Sequence, residues 1–340
     1  METIFKILKY NSLEQLVGIL NGTGKKLMAP VHKGKVVELE QVGSLGEIAL
    51  DVLLTTESVK KAAFPRWEKI MEYDVLQKGI RPRAVDLDKL PEVILFGIRP
   101  CDASGFRSLT AIFNWDSADQ LYLKKLEKTT IITFACNTAD EYCFCTSVNG
   151  SPGNTTNSDI QFTKMNGDEF LVELLTEKGK ALAEQFSGLL TDPATVPDKQ
   201  QFLADVPVVF DLPTVISKAT ANFDHPTTWL KQSFRCIGCG ACAYVCPTCA
   251  CFDIQDEHRI ANGVRLRTWD SCGFSLFTLH TSGHNPREVQ SNRWRQRIMH
   301  KFSYMPERLN VTGCEGCGRC SRACPVDMNI KEHLMTIAEL

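Results

Sequence analysis

Apolar positions in the first 22 residues, Ile4, Leu8, Leu13, Leu16, Val17 and Leu20, recur at roughly helical spacing, which predicts a helix ending near Gly22. From Ala29 to Ala49 short apolar runs, Pro30-Val31 and Val36-Val37-Glu38-Leu39, are broken by Gly, Lys and Pro, and predict a small strand-rich patch. Lys60 to Lys78 is mixed and predicts a partly helical stretch, with turns at Pro82 and Pro91. The clearest pattern follows. Val93 to Ile98 is a short continuous apolar run of buried-strand type, Ala103 to Phe113 has helical spacing, and Thr130 to Ala135 is a second strand-type run. Strand, helix and strand in about 40 residues predict a βαβ unit with parallel strands and a right-handed crossover, hence an α/β or α+β domain.

Leu171, Leu174, Leu175, Leu182 and Phe186 predict a helix, and Gly188 to Val209 reads as loop. Pro213 to Phe234 predicts a second helical stretch. The expected division is an N-terminal α/β domain at residues 1–210 and a mainly α-helical domain at 211–340. Within the latter, Gln290 to Met305 interleaves Arg293, Arg295, Arg297 and Lys301 with Trp294, Ile298 and Phe302, an amphipathic helix. Its charge reads first as a solvated face; the sharper alternative is docking to an acidic partner subunit.

The candidate chemistry is in the cysteines. Cys236, Cys239, Cys242 and Cys246, followed by Pro247, read C-x2-C-x2-C-x3-C-P, and Cys314, Cys317, Cys320 and Cys324, followed by Pro325, repeat the spacing. Three thiolates so spaced wrap one [4Fe–4S] cube, and in two-cluster proteins the fourth reaches the other cube. The expected ligand sets are Cys236, Cys239, Cys242 and Cys324 for one cluster, and Cys314, Cys317, Cys320 and Cys246 for the other. Gly238, Gly240, Gly316 and Gly318 let the backbone fold tightly round them. Zinc is the alternative for C-x2-C pairs, but two identical four-cysteine runs ending in Cys-Pro fit iron and sulfide. Such clusters with no obvious open metal position point to electron relay. Between Cys246 and Cys314 lie 67 residues, far more than a minimal ferredoxin linker.

A second group is less regular. Cys101 follows the first predicted strand of the βαβ unit and Cys136 the second, so both fall at the carboxyl edge of a parallel pair, where open sheets place ligands. The next loop carries Cys143-Phe144-Cys145. These four predict a third [4Fe–4S] site, the alternative being buried or redox thiols. Asp102 reads as a helix cap before an additional ligand. Asn149 to Asn154 is a turn, since it lacks the G-x-G-x-x-G and Walker patterns. Cys249, Cys251 and Cys272 read as sulfur-rich packing round the first cube before a further site.

Composition adds bounds. The chain has 340 residues and a net charge of −2, split as −6 over residues 1–230 and +4 over residues 231–340. No general basic excess points to nucleic acid. Fifteen cysteines, an odd number at metal-like spacing, argue for a reducing compartment and against a disulfide scaffold. No signal-peptide pattern opens the chain and no 18 consecutive apolar residues occur, so a cytoplasmic location without direct membrane insertion is expected.

Together with Phe96-Gly97-Ile98-Arg99-Pro100-Cys101-Asp102, Cys143-Phe144-Cys145, Cys246-Pro247-Thr248-Cys249-Ala250-Cys251 and Trp269-Asp270-Ser271-Cys272, the cluster runs resemble an iron–sulfur subunit family. That family is shared by anaerobic sulfite reductase, as its iron–sulfur subunit, and by cytoplasmic sulfhydrogenase, as its beta subunit, with similar subunits in oxidoreductases coupled to heterodisulfide reductase. The resemblance implies a non-catalytic component of a multi-subunit complex, passing electrons from or to a FAD- and NAD(P)-binding flavoprotein subunit on one side and a catalytic oxidoreductase subunit on the other. The eight ferredoxin-type cysteines match the family's runs, and Cys101, Cys136, Cys143 and Cys145 match its N-terminal cysteines. A reductase in its own right, using the N-terminal cysteine site, is the alternative; a structural cluster scaffold is a third reading.

Overall fold

The computed structural model describes residues 3–225 and 227–340. The first half is built on an eight-stranded mixed sheet. In chain order its elements are β1 (Ile4–Lys9), α1 (Leu13–Gly22), β2 (Lys26–Lys33) and β3 (Val36–Gln41), then β4 (Trp67–Val75) and β5 (Ile80–Ala84), which belong to a second sheet. There follow β6 (Val93–Ile98), α2 (Pro100–Phe113), α3 (Gln120–Glu127), β7 (Thr129–Phe134), β8 (Ile160–Lys164), β9 (Glu169–Leu174), α4 (Glu177–Glu184) and the short β10 (Leu190–Thr191). The strand order is β10-β1-β9-β8-β7-β6-β2-β3. Strands β2, β6, β7 and β8 run parallel to their neighbours in this group, and α2 and α3 span the connection from β6 to β7.

Alternation along the central strands explains why both faces are covered. Ile94, Phe96, Ile132 and Phe134 pack with Leu13, Leu16, Leu20 and Leu182 on one side. Leu95 and Ile131 point the other way, against Phe106, Leu109 and Phe113 of α2 and Tyr122 of α3. Three sequence expectations change here. Residues 4–9 are a strand that pairs antiparallel with β9, and the predicted N-terminal helix begins only at Leu13. In the stretch 60–78, expected to be partly helical, helix is confined to a 3-10 turn at Val59–Ala62, and residues 67–75 are strand. Residues 169–174 are strand as well, and helix starts at Glu177. Strand β9 is buried at five successive positions, so its side chains lose the alternation that marks a half-exposed strand and mimic helical spacing.

The second half contributes α5 (Leu212–Ala221), α6 (Thr228–Ser233), α7 (Ala241–Tyr244), the hairpin β11 (Phe252–His258) and β12 (Asn262–Trp269), α8 (Gln290–Met299), a π-helical turn at His300–Tyr304, α9 (Met305–Leu309), α10 (Arg319–Arg322) and α11 (Ile330–Ala338). The hairpin lies in the long insertion and pairs antiparallel with β4, giving a four-stranded sheet β11-β12-β4-β5 that draws two strands from each side of residue 211. Arg267 anchors it. The guanidinium is buried, lies within 5.1–5.5 Å of the centroids of Phe64, Phe113 and Phe252, donates from Nε to Glu68 Oε1 at 2.9 Å, and also pairs with Asp119.

The two halves also meet backbone to backbone. Gly316, at φ +62°, holds its Cα where a Cβ would come within 2.5–2.6 Å of the Cys145 N and Cα and the Phe144 carbonyl carbon, and Phe144 N donates to Gly316 O at 2.9 Å. Gly318 is similarly crowded by Tyr142. Only glycine permits that approach, so the loop 142–145 is seated on the second cysteine run.

Arg267→Met should cost about 3 kcal/mol, the low end for a broken buried pair because Lys125 still faces Glu68, and is read from the denaturant midpoint. Gly316→Ala should also cost about 3 kcal/mol, since strain and overlap with fixed backbone add. Gly34→Ala, at φ +63° with nothing within 4 Å, supplies the control and should cost about 1 kcal/mol. Equal losses at the two glycines would remove the contact argument.

Candidate metal centre

The two cysteine runs fold alike. Gly238 and Gly240 have φ of +70° and +74°, Gly316 and Gly318 have +62° and +69°, and each run enters a four-residue helix, α7 or α10, that packs against the other. Cys236, Cys239, Cys242 and Cys324 line a first cavity of roughly 620 Å³ including its mouth, which Cys272 and Cys320 also border. Cys314, Cys317, Cys320 and Cys246 line a middle cavity of roughly 300 Å³. The last cysteine of each run therefore faces the cavity of the other.

Sequence-distant cysteines also meet. Cys101, at the start of α2, Cys136, just after β7, and Cys143 and Cys145 from the following loop line a third, N-terminal cavity of roughly 480 Å³, which Cys317 also borders beside Cys101. Two cysteines are shared: Cys320 borders the first and middle cavities, and Cys317 borders the middle and N-terminal ones. Among the described residues no three Cys, His, Asp or Glu side chains converge closely enough for a single ion. The thiols ring spaces instead, as a cube with a ligand at each iron requires.

Burial governs the thiols. It pushes Cys136 up to about 11, Cys145 up to about 12 and Cys320 up to about 11, and it raises Cys314, Cys242 and Cys143 as well. Thiolates in such places need a compensating positive centre, which a metal supplies. Three thiols shift the other way: Cys246 is lowered by a hydrogen bond from Cys249 and by Lys301, Cys317 by a hydrogen bond from Cys101 and by Arg319, and Cys251 by a hydrogen bond from Cys272. N–H donors aimed at sulfur are already in place, Gln290 Nε2 to Cys236 Sγ at 3.0 Å and Gly316 N to Cys314 Sγ at 3.5 Å.

Beside the N-terminal cavity the buried Arg319 donates from Nε to Thr55 O at 2.9 Å and from Nη2 to Asp102 Oδ2 at 2.6 Å, while its Nη1 is buried with no partner. An orphaned donor next to Cys101, Cys136 and Cys317 fits an acceptor held there, and sulfide or thiolate is such an acceptor. Asp102 makes no helix cap: its carboxylate is taken by Arg319 and by Val59 N at 3.4 Å, so the cap expectation is replaced by a buried ion pair. Arg322 pairs with Asp140 and reaches Cys143 Sγ at 3.5 Å. Residues 149–154 form turns on the cavity wall, with Asn154 N donating to Ser151 O at 3.1 Å.

The basic helix departs from its expected solvated face. Arg297 and Lys301 are 4% and 3% exposed and point inward. Arg297 Nη2 donates to Cys242 O at 3.1 Å and Nη1 lies 3.6 Å from Cys249 Sγ; Lys301 Nζ donates to Gly313 O at 2.6 Å, to Thr248 Oγ1 at 2.9 Å and toward Cys246 Sγ at 3.4 Å. Sequence reasoning also missed Lys60, equally buried, which donates to Cys249 O at 2.9 Å and Ala243 O at 3.2 Å and sits 4.0 Å over the Trp269 ring. Cys251 and Cys272 hydrogen-bond at the base of the hairpin.

Residues 235–328 match the 4Fe-4S dicluster domain model. The whole chain is similar to sulfhydrogenase 2 subunit beta of Pyrococcus furiosus, 28% identical over 335 residues, covering 93% of this chain and 92% of that protein. No solved structure matches the chain. Residues 235–328 thus carry a 4Fe-4S dicluster domain, within a chain similar over most of its length to a sulfhydrogenase beta subunit.

Proposed function

We propose that this protein is an iron–sulfur electron-transfer subunit of a multi-subunit oxidoreductase, and that it holds three [4Fe–4S] centres. Such centres supply single-electron uptake and release. The observation that carries the reading is the chaining of three cysteine-lined cavities through Cys320 and Cys317. The first cavity would be served by Cys236, Cys239, Cys242 and Cys324, the middle one by Cys314, Cys317, Cys320 and Cys246, and the N-terminal one by Cys101, Cys136, Cys143 and Cys145. Within this arrangement the chain's own residues hold the thiols apart, exclude water and direct N–H groups at sulfur.

The partners proposed are a flavoprotein subunit that binds FAD and NAD(P)H and a catalytic subunit of sulfhydrogenase, sulfite reductase or heterodisulfide reductase type, in the cytoplasm. The relative's name, a subunit beta, supports an assembly of this kind. No helix among the described residues is long and apolar enough to cross a membrane. One end of the relay lies at Cys239, the one cysteine in the exposed class, beside Phe234 and Ile237, which are 86% and 66% exposed.

Iron and acid-labile sulfide per anaerobically reconstituted chain test the reading, with about twelve of each expected for three cubes, at four per [4Fe–4S] centre. Cys143→Ser with Cys145→Ser should remove one cube and leave the dicluster spectrum intact; an unchanged content would reduce those thiols to packing. The reduced protein alone should turn over none of sulfite, protons or disulfides, and turnover without partners would make it a reductase in its own right.

A further inference from the structure

Lys60, Arg297 and Lys301 are buried together round Cys246 and Cys249, and among the described residues none has a carboxylate within ion-pair distance. Glu57, the carboxylate that bears on Lys60, is engaged by Arg66 Nε at 2.8 Å. The contrast with the N-terminal cavity is informative: there Arg319 is neutralised by Asp102 and Arg322 by Asp140. Isolated charges in a dry interior are untenable unless an opposite charge is supplied. Lys301 faces the sulfur of Cys246, Arg297 the backbone of Cys242, and both line the middle cavity, while Lys60 holds the carbonyls of Ala243 and Cys249 in the segment that carries Cys246.

We propose that Lys60, Arg297 and Lys301 are the counter-charges of the cluster bound in the middle cavity and raise its reduction potential, so that electrons are held there between the two flanking centres. The inference rests on the iron–sulfur reading above. Uptake of one electron adds one negative charge and breaks no bond, and three uncompensated cations stabilise that added charge, because net charge and hydrogen bonds to sulfur are what set the potential. Arg297 acts on two cavities, since it also lines the first. Lys60 arrives from the other half of the sequence, between Ser58 and the start of β4, so the potential of a dicluster centre depends on a residue outside the dicluster domain.

The test is a dithionite titration of the full reconstituted chain, followed by electron paramagnetic resonance, with iron and sulfide measured for every variant. Lys301→Met should lower the reduction constant of one centre at least tenfold, a shift of about 59 mV for one electron, and leave the others in place. Lys60→Met should shift the same centre in the same direction, and Lys301→Arg should stay close to the parent protein. Iron-loaded Lys301→Met and Lys60→Met with unmoved midpoints would overturn the proposal. Should Lys301→Met lose one cube while Lys301→Arg retains it, positive charge is required to hold the anionic cluster, which supports the proposal. Loss from both equally would leave Lys301 a packing residue and overturn it. A parent protein that takes up no iron would instead defeat the iron–sulfur reading itself.

Discussion

A charge taken out of water must be matched by an opposite one, and this constraint shapes the junction between the two halves of the chain. The N-terminal half brings Lys60 and Asp102 into it, and the C-terminal half brings Arg297, Lys301 and Arg319, all nearly inaccessible. Some of these pair with each other across the junction, as Arg319 does with Asp102. Arg297 and Lys301 face sulfur, and Lys60 holds the backbone carbonyls of Ala243 and Cys249 beside it. The halves are consequently not two beads on a string: Phe144 packs in the core formed by α5, α8 and α11, and the hairpin of the second half completes a sheet with strands of the first.

How much of this could be read from the residues alone depended on how local the cause was. The cysteine runs were legible because cube geometry imposes a fixed spacing on the three consecutive ligands each run gives one centre, with the fourth before Pro, and the glycines within them follow from the same demand. The placement of Cys101 and Cys136 was legible through the strands that precede them, since β6 is a continuous apolar run and β7 a short run of β-branched and aromatic residues. Strand β9 was not, because burial on both faces erased its alternation. The pairing of β12 with β4 joins residues nearly 200 positions apart, and nothing local specifies it. Lys60 likewise carries no local mark.

Arg297 and Lys301 are a different case, because the signal existed. Trp294, Arg297, Ile298, Lys301 and Phe302 fall at helical spacing and are all buried, so the inward stripe of the helix contains both cations. Composition hid it: an Arg-rich segment suggests solvent, whereas position relative to the apolar stripe separates Arg297 and Lys301 from the more exposed Arg293 and Arg295. A cation that keeps step with Trp, Ile and Phe in a cysteine-rich chain is better read as a counter-charge than as a surface group.

The same reasoning accounts for the 67 residues between the cysteine runs. Here the insertion supplies the hairpin, Cys272 and Gln290 at the first cavity, and the helix that carries Arg297 and Lys301. Its effect is to close the sulfur-rich interior until, of fifteen cysteines, Cys239 alone is exposed. A relay that can exchange electrons at any point on its surface has no direction, and covering its middle confines exchange to its ends. With the insertion in place the two runs have unlike surroundings, one opening beside Phe234 and Ile237 and one enclosed between the first run and the N-terminal cysteines.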